Sequence, residues 1–159
     1  GRERILLIIR KGDSRVATQR QIATALLCGS SVVVACHADN QAMMENIINQ
    51  YLIAGVPRET VHIEGLESIK QWIQHPDINA VVTNSEGLDS QLLRRAMAQR
   101  NGAIIPLIQW PLTDTGYHYA WLFQFLNERT RTENLVARGG NTQLFSLEEN
   151  PIHSRDETV

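Results

Sequence analysis

The chain carries only two cysteines, no apolar run long enough to cross a membrane, and no glycines in the spaced triplet of a dinucleotide-binding turn. Each shortage excludes something. Two thiols, Cys28 at the end of an expected helix and Cys36 after an expected strand, cannot staple a small disulfide fold and read as reduced cysteines. With no membrane span, and no basic segment leading into an apolar leader, the chain reads as cytosolic. Charge of neither sign is concentrated: the formal net charge is -2 with 20% charged residues, so a nucleic-acid or anionic-membrane partner has no electrostatic footprint. The five histidines, His37, His62, His75, His118 and His153, never pair with the cysteines at metal-ligand spacing. An initiator methionine is lacking too. The chain enters its first apolar run directly after Gly1-Arg2-Glu3-Arg4, as expected of a piece cut from something longer.

What is present is a core. Hydrophobic residues make up 43% of 159, enough for one globular domain. Short continuous apolar runs at Ile5 to Ile9, Val32 to Ala35, Val61 to Ile63, Ala80 to Thr83 and Ala103 to Ile108 alternate with amphipathic stretches. Runs of this kind suit strands buried on both faces, so the alternation predicts an α/β fold with a mostly parallel sheet of about five strands. Helices are expected over Asp13 to Cys28, Asn40 to Ala54, Leu66 to Gln74 and Leu88 to Arg100, with Asp13 or Ser14 as first cap and Gly29, Gly55 and Asn101-Gly102 as stops. The first is expected to turn Val16, Ile22, Ala23, Leu26 and Leu27 inward. Pro106 cannot donate to a ladder, which puts the fifth strand at an edge or bulge.

Candidate chemistry is sparse. The turn after the first strand, "RKGDSR", offers the single Gly12; Lys11, Ser14 and Arg15 could touch an anion there, although capping accounts for them equally well. Cys36 and His37 follow the second strand, where α/β sites form, but adjacency in sequence does not make a dyad, and Asp39 reads as a turn or capping residue. The basic helix side in "RRAMAQR" is what a helix C-terminus favours. No catalytic, cofactor or metal residue is assigned.

From Gln109 the rhythm changes. Tyr117, Tyr119, Trp121, Phe123 and Phe125 fall at every second position, the alternation of a strand; a hairpin turning at Asn127-Glu128 and returning through "RTRTENL" is favoured over a helix through Ala120, Phe123 and Asn127. Such a ribbon needs a cover, either another module or its own domain. Beyond it "ARGGNTQLF" sets Gly139, Gly140 and Asn141 before the apolar Leu144 and Phe145, in a place where a tail should turn polar.

"NERTRTENLVARGGNTQLF", residues 127 to 145, resembles the C-terminal motif of long proline utilization A proteins, the bifunctional proline dehydrogenase/pyrroline-5-carboxylate dehydrogenases. "RERILLI", "LLCGSSVVVA", "INAVVTN" and "AQRNGAIIPL" are similar to successive segments of their C-terminal aldehyde-dehydrogenase-superfamily domain. Where that family commonly has threonine and alanines before the glycines, this chain has Leu135, Val136, Ala137 and Arg138. The resemblance implies a Rossmann-like three-layer domain over residues 2–109, a β-hairpin flap and terminal motif over 110–146, and a disordered tail over 147–159. It implies a domain without dehydrogenase chemistry and without NAD, in a parent using FAD and NAD elsewhere. It further implies that Trp121, Phe123, Phe125, Glu128, Arg129, Asn134, Gly139, Gly140 and Asn141 cover the aldehyde-dehydrogenase module of the same or a neighbouring protomer and help seal the path of the intermediate. Two other readings remain: a stand-alone oligomerisation or adaptor module, and a divergent nucleotide-binding enzyme.

Overall fold

The computed structural model describes residues 2–84, 88–110 and 119–127. Five strands form one sheet: β1 (Arg4–Ile9), β2 (Ser31–Cys36), β3 (Val61–Gly65), β4 (Ile78–Thr83) and β5 (Leu107–Gln109). Their order is β3-β2-β1-β4-β5, and every neighbouring pair is parallel. Helices α1 (Arg15–Leu27), α2 (Gln41–Ile53), α3 (Ile69–Gln74) and α4 (Leu88–Ala98) connect them, and α5 (Tyr119–Gln124) follows β5.

The layers follow from the two-residue period of a strand. In β1, Ile5, Leu7 and Ile9 join Ile22 of α1, Met44 and Ile47 of α2, and Phe125 on one face. Leu6 and Ile8 point the other way, to Ile73 of α3 and Leu93 of α4. Both faces are buried, which is why the strand reads as an unbroken apolar run rather than an alternating one. Helices on both faces of this parallel sheet make a Rossmann-like three-layer domain. Pro106 stands immediately before β5, an edge strand that among the described residues pairs with β4 alone, and its carbonyl accepts from Val81 N at 3.0 Å. Among the described residues no helix is long and apolar enough to cross a membrane.

Two expectations need correction. The buried stripe of α1 is Thr18, Gln21, Ile22, Thr24 and Ala25, while Val16 and Leu27 face solvent. Of its buried polar side chains, Thr24 Oγ1 donates back to the Arg20 carbonyl of the same helix at 2.7 Å, while Gln21 Nε2 donates to Asn84 Oδ1 beyond β4 and so ties α1 to the sheet.

The second correction concerns the first arm of the hairpin. Residues 119–124 are helical, so strict alternation misled. The intervening Ala120, Leu122 and Gln124 are good helix formers. Helical geometry then puts Trp121 and Phe125 on one face, four residues apart, and Phe123 on the other. Trp110, after β5, stacks on Trp121 at 4.9 Å between ring centroids and meets Phe125 edge-on at 6.3 Å. Arg2 fixes the far end, donating from Nε to the Gln124 carbonyl at 2.8 Å and from Nη1 to Asn127 Oδ1 at 2.9 Å. The returning arm of the hairpin lies outside the described residues.

Candidate functional site

Open parallel sheets bind ligands beyond the carboxyl ends of their strands, where the strand order reverses. Here that point lies between β1 and β4. The β1–α1 turn above it is occupied by its own side chains. Gly12 adopts φ +85, a conformation glycine reaches freely, and brings Asp13 back so that its carboxylate accepts from Arg10 N at 2.8 Å. The three groups that could have met an anion are engaged elsewhere. Lys11 pairs with Asp39 at 2.8 Å, Ser14 caps α1 by accepting from Ala17 N, and Arg15 Nη2 donates to Asn46 Oδ1 at 2.6 Å. A turn with one glycine and an inturned carboxylate does not fit a dinucleotide pyrophosphate.

Beneath the turn lies a polar seam. Thr18, Gln21 and Asn84 are almost wholly buried, and after the Gln21–Asn84 amide contact, Thr18 Oγ1, Gln21 Oε1 and Asn84 Nδ2 have no hydrogen-bond partner among the described residues. The seam ties the first half of α1 to the end of β4 and is closed to solvent.

Cys36 and His37 border a cleft of about 470 Å³ between the ends of β2 and β3, with Gln41, Glu64 and Glu67 on its walls. Burial pushes the Cys36 thiol up, and the Glu45 and Glu67 carboxylates add to the shift in the same direction. His37 Nδ1 accepts from the backbone N–H of Asp39 at 3.2 Å. The same nitrogen lies 3.7 Å from an Asp39 carboxylate oxygen; the shorter backbone bond describes the contact better, with Nδ1 acting as acceptor. A thiol held protonated beside a histidine committed to a turn is a poor nucleophile.

Iodoacetamide at neutral pH should therefore leave Cys36 unmodified in the folded chain, as mass spectrometry of the labelled protein would show. The sign of the pH dependence follows. The stability contributed by the raised thiol is fully present below the unfolded-chain value, about 8.5. It is lost as pH rises through the folded value, and Cys36→Ala should flatten that alkaline decline.

Of the residues expected to form an interface, Trp121 is half-buried against Trp110, Phe125 is in the core, and Phe123 is 71% exposed. Glu128, Arg129, Asn134, Gly139, Gly140 and Asn141 lie outside the described residues. Sequence reasoning gave Arg10 and Trp110 no role and read Arg100, within "RRAMAQR", only as part of a basic helix side. A basic residue ending a buried strand, a tryptophan ending an edge strand, and an arginine before Asn101-Gly102 were the available signals.

No family model and no curated protein matches the chain. Solved structures do. A point mutant of Bradyrhizobium japonicum proline utilization A has a TM-score of 0.62 and 24% identity, over 70% of this chain and 12% of that one. A proline utilization A with proline bound in remote sites gives 0.61 and 24%, over 70% and 12%. A bifunctional proline utilization A protein gives 0.60 and 23%, over 69% and 12%. At such identity the likeness is one of fold, and the chain spans about an eighth of those proteins' length.

Proposed function

We propose that this chain is a non-catalytic structural domain of a bifunctional proline-catabolic enzyme, one that oxidises proline to glutamate through pyrroline-5-carboxylate. The observation that carries this reading is the fold shared with a 12% portion of proline utilization A structures. The segment similarities from Arg2 to Phe145 support it. So does a first turn whose own carboxylate stands where a dinucleotide would need open backbone N–H groups.

In this reading FAD and NAD belong to other modules of the parent. Phe123, Glu128, Arg129, Asn134, Gly139, Gly140 and Asn141 cover the aldehyde-dehydrogenase module of the same or a neighbouring protomer, where glycines allow close backbone approach. Trp121 and Phe125 serve this cover indirectly, by anchoring α5 on Trp110.

The test is deletion of residues 130–145 in the parent enzyme. Coupled turnover of proline to glutamate is expected to slow, with intermediate escaping into solution and trapped there by an aldehyde reagent. Coupling and dehydrogenase activity identical to the intact enzyme would remove the covering role.

A further inference from the structure

The sheet ends at β3. Among the described residues this strand pairs with β2 alone, so its outer side offers backbone N–H and C=O groups to any strand laid alongside. Edges are commonly blunted by proline, lysine or a bulge; Val61–Gly65 contains neither residue, and its register with β2 is unbroken. Beside this edge α2 and β3 border an open cleft of about 690 Å³, with the half-buried Ile48 and Leu52 on one wall and Val61 and Ile63 on the other.

The charges along the strand select what fits. Val61 and Ile63 face the α2 layer, and by the two-residue period His62 and Glu64 face the other way. A carboxylate on an edge deters pairing unless the incoming strand answers it. In an antiparallel ladder, residues that aim their backbone groups at the seam must face one another, so a two-fold axis relating two copies of β3 passes at one residue position. An axis at Glu64 opposes two carboxylates, and one at His62 sets Glu64 against Thr60, outside the strand. An axis at Ile63 sets His62 of each copy against Glu64 of the other, Val61 against Gly65, and Ile63 against itself. That register uses the whole strand and answers both carboxylates. Continued further it would bring Glu59 towards Glu67, but these belong to the 3-10 turns Arg58–Thr60 and Leu66–Ser68, where the strand has ended.

We propose that β3 pairs antiparallel with β3 of a second copy of this chain, about a two-fold axis at Ile63, and so joins the two five-stranded sheets into one. The axis is normal to the sheet. Both copies of α2 therefore lie on one face, and their Ile48 and Leu52 flank the same seam. The proposal does not rest on the parent enzyme proposed above.

Sedimentation velocity of the chain at pH 7, from about 1 μM to about 1 mM, is expected to show monomer passing to dimer. Amide hydrogen exchange within residues 61–65 should slow as the dimer forms. His62 is exposed, so His62→Glu leaves the core intact while setting like charges opposite each other at two symmetry-related places. It should weaken the dimer by at least about tenfold. Adding Glu64→Lys to that variant restores opposite charges across the seam and should recover most of the loss. A chain that stays monomeric throughout, a dimer that His62→Glu leaves unchanged, or a double variant no stronger than the single one would overturn the proposal. Amides 61–65 protected equally at every concentration in a monomer would mean that another segment of the same chain covers the edge, and would overturn it too.

Discussion

Replacing Phe125 with alanine is expected to destabilise the domain by about 3–5 kcal/mol, whereas Phe123→Ala should stay within about 0.5 kcal/mol of the parent sequence. The two rings stand two residues apart in an aromatic alternation, yet their surroundings are opposite. Phe125 is fully buried, edge-on to Trp110 and packed with the β1, β4 and α1 side chains of its core, while Phe123 is 71% exposed. Removing the buried ring forfeits its transfer free energy and leaves a cavity that α5 can only partly close, because Arg2 holds the end of that segment at Gln124 and Asn127. Surface truncation has neither cost. Urea denaturation of the two variants measures the difference; for a chain of this size the Phe125 variant should also melt roughly 10 °C lower, at about 2–4 °C per kcal/mol. Equal losses at positions 121, 123 and 125 would instead mark one packed face of a strand, and the helical account of α5 would be wrong.

The contrast between those two rings shows where sequence reasoning succeeded. The sheet was legible because β1, β2 and β4 contain apolar runs, and Pro106 pointed correctly to an edge; β3, with the exposed His62 between Val61 and Ile63, has no such run. Strands buried on both faces need only be apolar, a demand visible in one dimension. The caps were legible for a similar reason: Ser14 caps α1 and Gly29 and Gly55 adopt positive φ, all within a few residues of the helices they bound.

What failed depended on distant partners. Thr18 and Gln21 are core residues because Gln21 meets Asn84, 63 positions away, and no hydrophobic pattern within α1 could announce that. The aromatics from Tyr117 onward satisfied a strand period, but Trp110 selected the i, i+4 pair that a helix presents. The site candidates behaved likewise. Lys11, Arg15, Cys36 and His37 were the right residue types near the right edge, and their neighbours decided against chemistry: Asp39 takes Lys11, Asn46 takes Arg15, and burial beside Glu45 and Glu67 keeps the Cys36 thiol protonated.

Arg100→Ala is expected to cost about 2–3 kcal/mol, read as a fall in the urea midpoint at unchanged slope. Its guanidinium has no carboxylate partner among its hydrogen bonds. It donates instead from Nε to the Ile73 carbonyl at 3.0 Å, from Nη1 to Ala103 O at 2.7 Å, and from Nη2 to the carbonyls of His75, Pro76 and Ile78 at 3.0, 3.1 and 3.1 Å. Nη2 has two hydrogens for three oxygens, so at least one bond is shared and the five cannot be summed. Several of these carbonyls can reach water once the side chain is gone, which keeps the loss well below five charged hydrogen bonds. The segments joined are the C-terminal turn of α3, the connection into β4, and the turn that leads toward β5.

Arg100→Lys separates two explanations. A cation near the last carbonyls of α3 is favourable in itself, by about 0.3–1 kcal/mol at an exposed site, and lysine would retain that part. A flexible ammonium cannot span Ile73, Ile78 and Ala103 together, because its three donors radiate from one atom rather than along a planar fork. Lysine should therefore recover less than half of what alanine loses. Full recovery would mean that charge at the helix end is the whole effect, and that the planar fork does nothing to hold α3, β4 and the turn after α4 in register.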